Sequence, residues 1–181
     1  MSFTKLHETS IYSGPVFSLA EVTFQSPDGE EFRRQYVRHH GAVAVVPLTD
    51  DGNVILVSQY RGSIESDLLE IPAGLLDVEG ESLELAAARE LREETGMEAA
   101  HLELLTTVVP APGMTDERVS IFVAHGLREV GEDRKGPEEK YMTMVSIALT
   151  EALAMTHSGA IVDGKTIIGL HLVSGRFQVG R

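Results

Sequence analysis

Arg89, Glu90, Glu93 and Glu94 crowd three carboxylates and a guanidinium into one short stretch of the chain. At about 100° per residue, Glu90, Glu93 and Glu94 share roughly one 100° sector of a helix. All three stand in its last two turns, before Gly96, where the helix dipole disfavours negative charge. Like charges three and four residues apart also repel. Selection for stability alone would put Lys or Arg there. Ala86, one turn before Glu90 on the same stripe, leaves space above the acids. Hard oxygen donors facing an open space suit Mg²⁺ or Mn²⁺. Arg89 can pair with Glu93 at i,i+4 and hold it. The plain alternative is a solvated acidic face, which an isolated Glu-Glu pair would favour. The Gly-bearing loop before the helix, the Arg and the helix stop together weigh against it.

These side chains need a helix that begins near Ser82 and ends at Gly96, a residue suited to the left-handed position past a helix end. The loop Ile71-Pro72-Ala73-Gly74 leads toward it. Residues 41–48 are a continuous apolar run of strand type, buried on both faces. Asp50-Asp51-Gly52 turns the chain, and residues 53–60 return as the partner strand. Residues 68–71 read as a short strand feeding the Gly74 loop. Residues 102–109, 119–124 and 142–147 read as further strands. Residues 150–158 read as a helix capped by Thr150, and residues 163–173 as a helix capped by Asp163. The polar run 131–140 reads as a surface loop, and the tail after Ser174 as fraying.

Upstream, strands are expected near residues 10–12, 16–24 and 31–38, punctuated by Gly14-Pro15 and Pro27-Asp28-Gly29. Strands alternating with helices behind a β-rich start indicate a layered α/β architecture. The expected division is an N-terminal β-meander over residues 1–40 and a main domain over residues 41–181.

The 181 residues suffice for a sizeable core. Fifteen Lys and Arg against 28 Asp and Glu give a net charge of −13. That argues against nucleic acid or an anionic membrane surface as the main partner. An anionic substrate would need bound cations and a few well-placed Arg. The chain has no Cys, hence no disulfide and no thiol chemistry. The opening MSFTKLHETS lacks an apolar signal core. The longest apolar runs, such as residues 42–48, are far too short to span a bilayer. The expectation is a soluble cytoplasmic protein without repeats.

The stretch from Gly74 to Met97 resembles the Nudix hydrolase signature, G-x5-E-x7-R-E-U-x-E-E-x-G-U, with U a bulky apolar residue. From Glu81 onward the match is complete: Glu81, Arg89, Glu90, Leu91, Glu93, Glu94, Gly96 and Met97. Six residues rather than five separate Gly74 from Glu81, and Gly80 stands where the signature expects Glu. This reads as a one-residue insertion in the loop, which spares the helical ligands and leaves the role of Glu81 open. The resemblance runs from about Tyr12 to about Val173. It includes features of the ADP-ribose pyrophosphatase branch: Arg34, Gln59-Tyr60-Arg61, Leu69-Glu70-Ile71-Pro72-Ala73-Gly74-Leu75-Leu76-Asp77 and Ala111-Pro112-Gly113-Met114-Thr115-Asp116-Glu117.

The fold so implied is an α/β/α sandwich around a mixed β-sheet, with an N-terminal antiparallel β-meander. The implied chemistry is hydrolysis of the diphosphate of ADP-ribose to AMP and ribose 5-phosphate. Glu90, Glu94 and the Ala73 carbonyl are implied ligands of two or more Mg²⁺ ions, with Mn²⁺ an alternative. Glu93 is implied as a supporting catalytic carboxylate. A glutamate from the 131–140 loop is implied as general base, Glu139 ahead of Glu138. Arg34 and Arg61 are candidate phosphate clamps, since a guanidinium matches phosphate oxygens bidentately. Arg33 and Arg38 are alternatives, each equally well read as a surface Arg.

Phe17 is a candidate to stack on adenine, though a lone strand aromatic more often packs in a core. Glu117 is a candidate to accept from a ribose hydroxyl, and Leu75, Pro112 and Gly113 complete the implied substrate contacts. His39 and His40 read as structural, because Mg²⁺ prefers oxygen. Two alternatives stand beside this reading. One is hydrolysis of another nucleoside diphosphate derivative, such as a nucleotide sugar, a dinucleoside polyphosphate or NADH. The other is a non-catalytic module that senses ADP-ribose, which the intact set Glu90, Glu93 and Glu94 disfavours.

The meander offers too little apolar area to close on itself, and the resemblance implies a two-fold pair built through it. A homodimer is therefore expected, with the Arg34 neighbourhood facing the partner's site. Light scattering at micromolar concentration checks this, and a monomer mass overturns it.

Overall fold

The computed structural model describes residues 2–131 and 139–178. The chain folds as two compact units, Met1–Gly41 with Val109–Arg118, and Ala42–Val108 with Val119–Arg181.

The first unit is an antiparallel meander of β1 (Thr4–Ser13), β2 (Phe17–Gln25) and β3 (Glu31–His39), in that order. Gly29, at φ +95°, makes the β2–β3 turn, where Ser26 N–H donates to the Glu30 carbonyl at 2.8 Å. β1 is longer than the expected 10–12 because most of its side chains are exposed, so no alternation marks it in the sequence. Residues 109–118 join this unit, which residues 1–40 alone do not anticipate. Val37 N–H donates to the Met114 carbonyl at 2.9 Å, and Asp116 accepts from His39 N–H at 3.0 Å.

In the second unit, β4 (Ala42–Pro47) sits inside a mixed sheet of order β7-β4-β9-β8, where β7 is Ala73–Leu75, β8 Met97–Val108 and β9 Val119–Glu129. β4 runs parallel to β9 and antiparallel to β7. Its apolar run has two faces to fill. Val43 and Val45 join Phe122 and Ala124 of β9 against Ala86, Ala87 and Leu91 of helix α1 (Leu83–Thr95). Ala44 and Val46 join Ile121 and Val123 against Leu170 and Val173 of α3 (Gly164–Gln178). This is the expected helix–sheet–helix layering. Each fully buried Val or Leu side chain contributes about 1.5–3 kcal/mol. A second antiparallel sheet, β10-β5-β6, contains β5 (Asn53–Arg61), β6 (Ser66–Glu70) and β10 (Thr143–Ala148), with α2 (Leu149–Ser158) following β10.

Several local expectations hold. Ser82 caps α1, its hydroxyl accepting from Leu85 N–H, and Gly96 ends it at φ +68° with its N–H on the Arg92 carbonyl. Asp163 caps α3 by accepting from Thr166 N–H at 3.0 Å. Other expectations are corrected. The N-cap of α2 is Ala148, not Thr150, and it has no side-chain cap bond; the Gly52 carbonyl accepts from Leu149 N–H at 3.1 Å instead. β8 begins at Met97 rather than near Leu102, because left-handed Gly96 turns the chain directly into the ladder with Glu129. α3 continues to Gln178, past the expected fraying point. No helix among the described residues is long and apolar enough to cross a membrane.

Gly169 shows how closely α3 meets the sheet: a Cβ there would lie 2.8 Å from Val46 Cγ2 and 3.3 Å from Ile121 Cγ2. Gly169→Val is expected to destabilise the fold by roughly 1–3 kcal/mol, the cost of overpacking. Urea unfolding checks this as a lowered midpoint at unchanged slope.

Candidate functional site

β7 was expected to be irregular loop. It is instead a short strand, with Val43 opposite Gly74 and Ala44 opposite Ala73. The last two turns of α1 lie over it. Glu94 Oε2 accepts from Ala73 N–H at 3.1 Å. The Glu90 carboxylate rests on Gly74 so closely that a Cβ there would fall 2.0 Å from its Cδ. Only glycine leaves room for that acid. Both carboxylates are buried, Glu90 at 8% and Glu94 at 5% exposure. Ala86 does not leave an open space above them, as the sequence suggested. It is fully buried against β4, and its small side chain lets the helix approach the strand.

Arg89 binds the acids together. Its Nε and Nη2 donate to Glu81 at 3.1 and 3.0 Å, Nη1 to Glu90 Oε1 at 2.5 Å, and Nη2 to the Leu75 carbonyl at 3.3 Å. Glu93, the partner expected from spacing, is farther away at 3.4 Å, and Asp77 stands at 3.7 Å. Glu81 thus receives the role that the extra loop residue had left open. The insertion is taken up by Gly80, at φ +78°, in a turn where Glu81 N–H donates to the Val78 carbonyl at 3.2 Å.

The electrostatics are uneven. Burial pushes the Glu90 carboxyl above the ordinary carboxylate range; Arg89 opposes this, and Glu93 and Asp77 add to it. Its hydrogen bonds to the Glu81 carboxylate hold the Arg89 guanidinium more firmly protonated than usual, against burial. Arg89 thus faces several acids at once, a setting that calls for further positive charge. Among the described residues no three His, Cys, Asp or Glu side chains form a cage able to enclose a metal ion. The donors present are two buried carboxylates and the backbone of β7. This fits Mg²⁺, which takes one or two carboxylates and leaves its other positions to water and substrate phosphate.

Behind the site, Glu70 is 1% exposed. It meets Arg61 in a two-pronged pair, Nε at 2.7 Å and Nη2 at 2.8 Å, and also contacts Lys165 Nζ. Burial opposes the ionisation of Glu70, but the two cations outweigh it and hold its carboxyl below the ordinary range. Arg61, read from sequence as a phosphate clamp, thus has a buried protein partner that the sequence reading did not assign. Its charge also reaches Glu94, which helps keep the guanidinium protonated.

The remaining expected substrate contacts lie in the first unit. Arg34 sits over the Phe32 ring at 4.9 Å and donates to the Arg33 carbonyl. Phe17 meets Tyr12 at 5.9 Å and is 44% exposed. Pro112 lines a cleft of about 470 Å³ with Phe24, Tyr36, Arg38 and Asp116. Gly113 is exposed. Glu117 lies 3.7 Å from His39 Nδ1. Arg38, treated in the sequence as interchangeable with a surface Arg, is a hub: it grips both Glu8 oxygens at 2.9 and 3.0 Å and reaches Asp116 at 3.1 Å. These bonds, with help from Lys5, push the Glu8 carboxyl down to about 2. Glu138 and the Glu139 side chain lie outside the described residues; the Glu139 backbone opens a 3₁₀ turn, Glu139–Tyr141, just before β10.

The NUDIX domain pattern matches residues 38–163. The chain is 41% identical over 182 residues to an ADP-ribose pyrophosphatase of Mycobacterium tuberculosis, covering 99% of this chain and 88% of that one. It is 34% identical to a GDP-mannose pyrophosphatase of Yersinia enterocolitica, covering 84% and 85%. A crystal structure described as an ADP compounds hydrolase superposes with a TM-score of 0.82 at 28% identity, over 99% of this chain and 96% of that one.

Gly74→Ala would drive a methyl group into the Glu90 carboxylate. The variant is expected to fold yet lose most of the rise in melting temperature that Mg²⁺ or Mn²⁺ gives the wild type by binding the native state. Thermal unfolding across a metal titration checks this.

Proposed function

The chain belongs to the Nudix hydrolase family, and from that membership we propose that it hydrolyses ADP-ribose, with Mg²⁺ bound, to AMP and ribose 5-phosphate. The observation that carries the reading is the buried pair Glu90 and Glu94 set against the Gly74 strand. Water adds to one phosphorus, the P–O–P bridge breaks, and the bridging oxygen leaves on the other phosphate.

Nudix hydrolases generally depend on divalent metal ions. Here Glu90, Glu94 and the Ala73 carbonyl would hold Mg²⁺, two ions or more. Once bound, the ions would offset the diphosphate charge and lower the pKa of a bound water. Arg89 fixes Glu90 through its short bond and holds Glu93 nearby. Pro72, which has no N–H, stiffens the approach to Ala73, and its carbonyl accepts from Val45 N–H at 2.9 Å. Arg61, held by Glu70, adds positive charge beside the acids. Glu139 is the proposed general base. Arg34, Arg61, Phe17, Leu75, Pro112, Gly113 and Glu117 are the proposed substrate contacts, with the meander supplying the surface of a homodimer.

ADP-ribose is favoured by the 41% identical ADP-ribose pyrophosphatase and by the structural match described as an ADP compounds hydrolase. The GDP-mannose pyrophosphatase relative supports a second reading, a nucleotide sugar as substrate. Product analysis over ADP-ribose, GDP-mannose, NADH and dinucleoside polyphosphates with Mg²⁺ decides between them. ADP-ribose is expected to give the highest kcat/KM; inactivity on every compound would favour a sensing module.

Glu139→Gln is expected to lower kcat by roughly 10²–10⁴-fold, the range for losing a general base. KM should change little, because the carboxylates and Arg side chains remain. Steady-state kinetics beside Glu138→Gln checks the choice, and a near-normal kcat for Glu139→Gln overturns it.

A further inference from the structure

Between Glu70 and Ala73 the chain crosses from one sheet to another. β6 ends at Glu70 in the β10-β5-β6 sheet, and β7 begins at Ala73 in the β7-β4-β9-β8 sheet. A crossing of this kind leaves the Ile71 N–H to find a partner outside either ladder. That partner lies 95 residues away: the Thr166 hydroxyl, in the first turn of α3, accepts from Ile71 N–H at 2.9 Å. The hydroxyl is itself oriented, because it donates to Asp163 Oδ2 at 2.6 Å. The neighbouring Lys165 contacts Glu70 and stands 3.1 Å from Asp163. Thr166 is fully buried and Glu70 nearly so. The two residues that precede Pro72 and Ala73 are thus tied to the start of α3 by a hydrogen bond and a buried ion pair.

Downstream of this anchor, Pro72 offers its carbonyl to Val45 N–H, Ala73 N–H donates to Glu94, and Gly74 lies under Glu90. An error in the crossing would be carried straight into β7, where both acids are seated. We propose that Thr166 and Lys165 are positioning residues for the metal-binding strand, setting the Ala73 carbonyl and the seat of Glu94 through the Glu70–Ile71 step. This rests on the reading that Ala73 and Glu94 hold the metal ion. Neither residue touches substrate or ion; both act through the backbone at 70–74. An Ile71 N–H without an acceptor would pull the crossing toward a new partner, since a buried N–H left unpaired is costly.

The test is Mn²⁺ binding to the substrate-free protein, measured from the free-ion signal in electron paramagnetic resonance, beside thermal unfolding in EDTA. Thr166→Val keeps the side-chain shape and removes the hydroxyl. It is expected to weaken Mn²⁺ binding by roughly 10- to 100-fold, the range for losing a partner that orients metal ligands. Thr166→Ser keeps the hydroxyl and is expected to bind as the wild type does. Val173→Ala, farther along the same helix, is expected to lower the melting temperature and leave Mn²⁺ affinity unchanged.

A Thr166→Val protein that binds Mn²⁺ like the wild type overturns the proposal. So does a Val173→Ala protein that loses as much affinity, since the effect would then be general destabilisation. If Thr166→Val does not fold, Lys165→Met, which removes one of the two cations on Glu70, is judged by the same two criteria. Glu94→Gln separates this inference from the reading beneath it. Weakened binding in that variant, with normal binding in Thr166→Val, removes only the positioning role. Unchanged binding in Glu94→Gln removes the metal site itself, and the positioning role with it.

Discussion

The Arg89 guanidinium is what allows the acid cluster of α1 to exist inside the fold. Glu81, Glu90 and Glu93 all lie within hydrogen-bonding reach of it, and Asp77 stands just beyond. Two like charges 4 Å apart repel by about 4 kcal/mol at an effective dielectric of about 20. Several such pairs at the negative end of a helix dipole would unravel an unsupported segment. Arg89 offsets part of this repulsion, and its hydrogen bonds to Glu81 tie the helix to the loop before it.

The rest of the offset comes from packing. α1 presents two kinds of side chain to β4 and β7. Ala86, Ala87 and Leu91 close onto Val43, Val45 and Phe122, while Glu90 and Glu94 cover the strand beside them. The small residues let the helix axis come near the sheet, and that nearness places Glu90 against Gly74 and Glu94 against the Ala73 amide. Stability and the proposed metal site therefore share one interface. The apolar half holds the helix down, and the acidic half is held in place by it, at an electrostatic cost that would not arise on a helix built for stability alone.

Much of this could be read from the sequence. Ser82 and Gly96 mark both ends of α1 because each does its work with neighbours in the chain. The apolar run 42–48 announces a strand covered on both faces. The Arg and Glu spacing identifies the acid cluster and, with it, the family. What escaped depends on partners distant in sequence. β7 exists only because β4 offers it a ladder. Thr166 looks like an ordinary helix residue until Ile71 is brought to it. Glu81 stands eight residues before Arg89, about 12 Å along a continuous helix, and it meets the guanidinium only because it lies in the loop outside α1. Thr150 was expected to cap α2, but Gly52 already satisfies the first amide of that helix.

The turn at Gly80 has a consequence for how this chain can vary. Gly80 adopts a left-handed conformation with no atom within 4 Å of where a Cβ would stand. Glu81 is fixed from the other side by Arg89, and β7 by its pairing with β4. Both ends of the segment are anchored independently of its middle, so its length is uncoupled from the geometry on either flank. Closing a loop grows only slowly more expensive with length. The tip at Gly80 is thus a natural graft point, where an epitope or a fluorophore-bearing peptide could be spliced within a few residues of the acid cluster while that cluster keeps its shape.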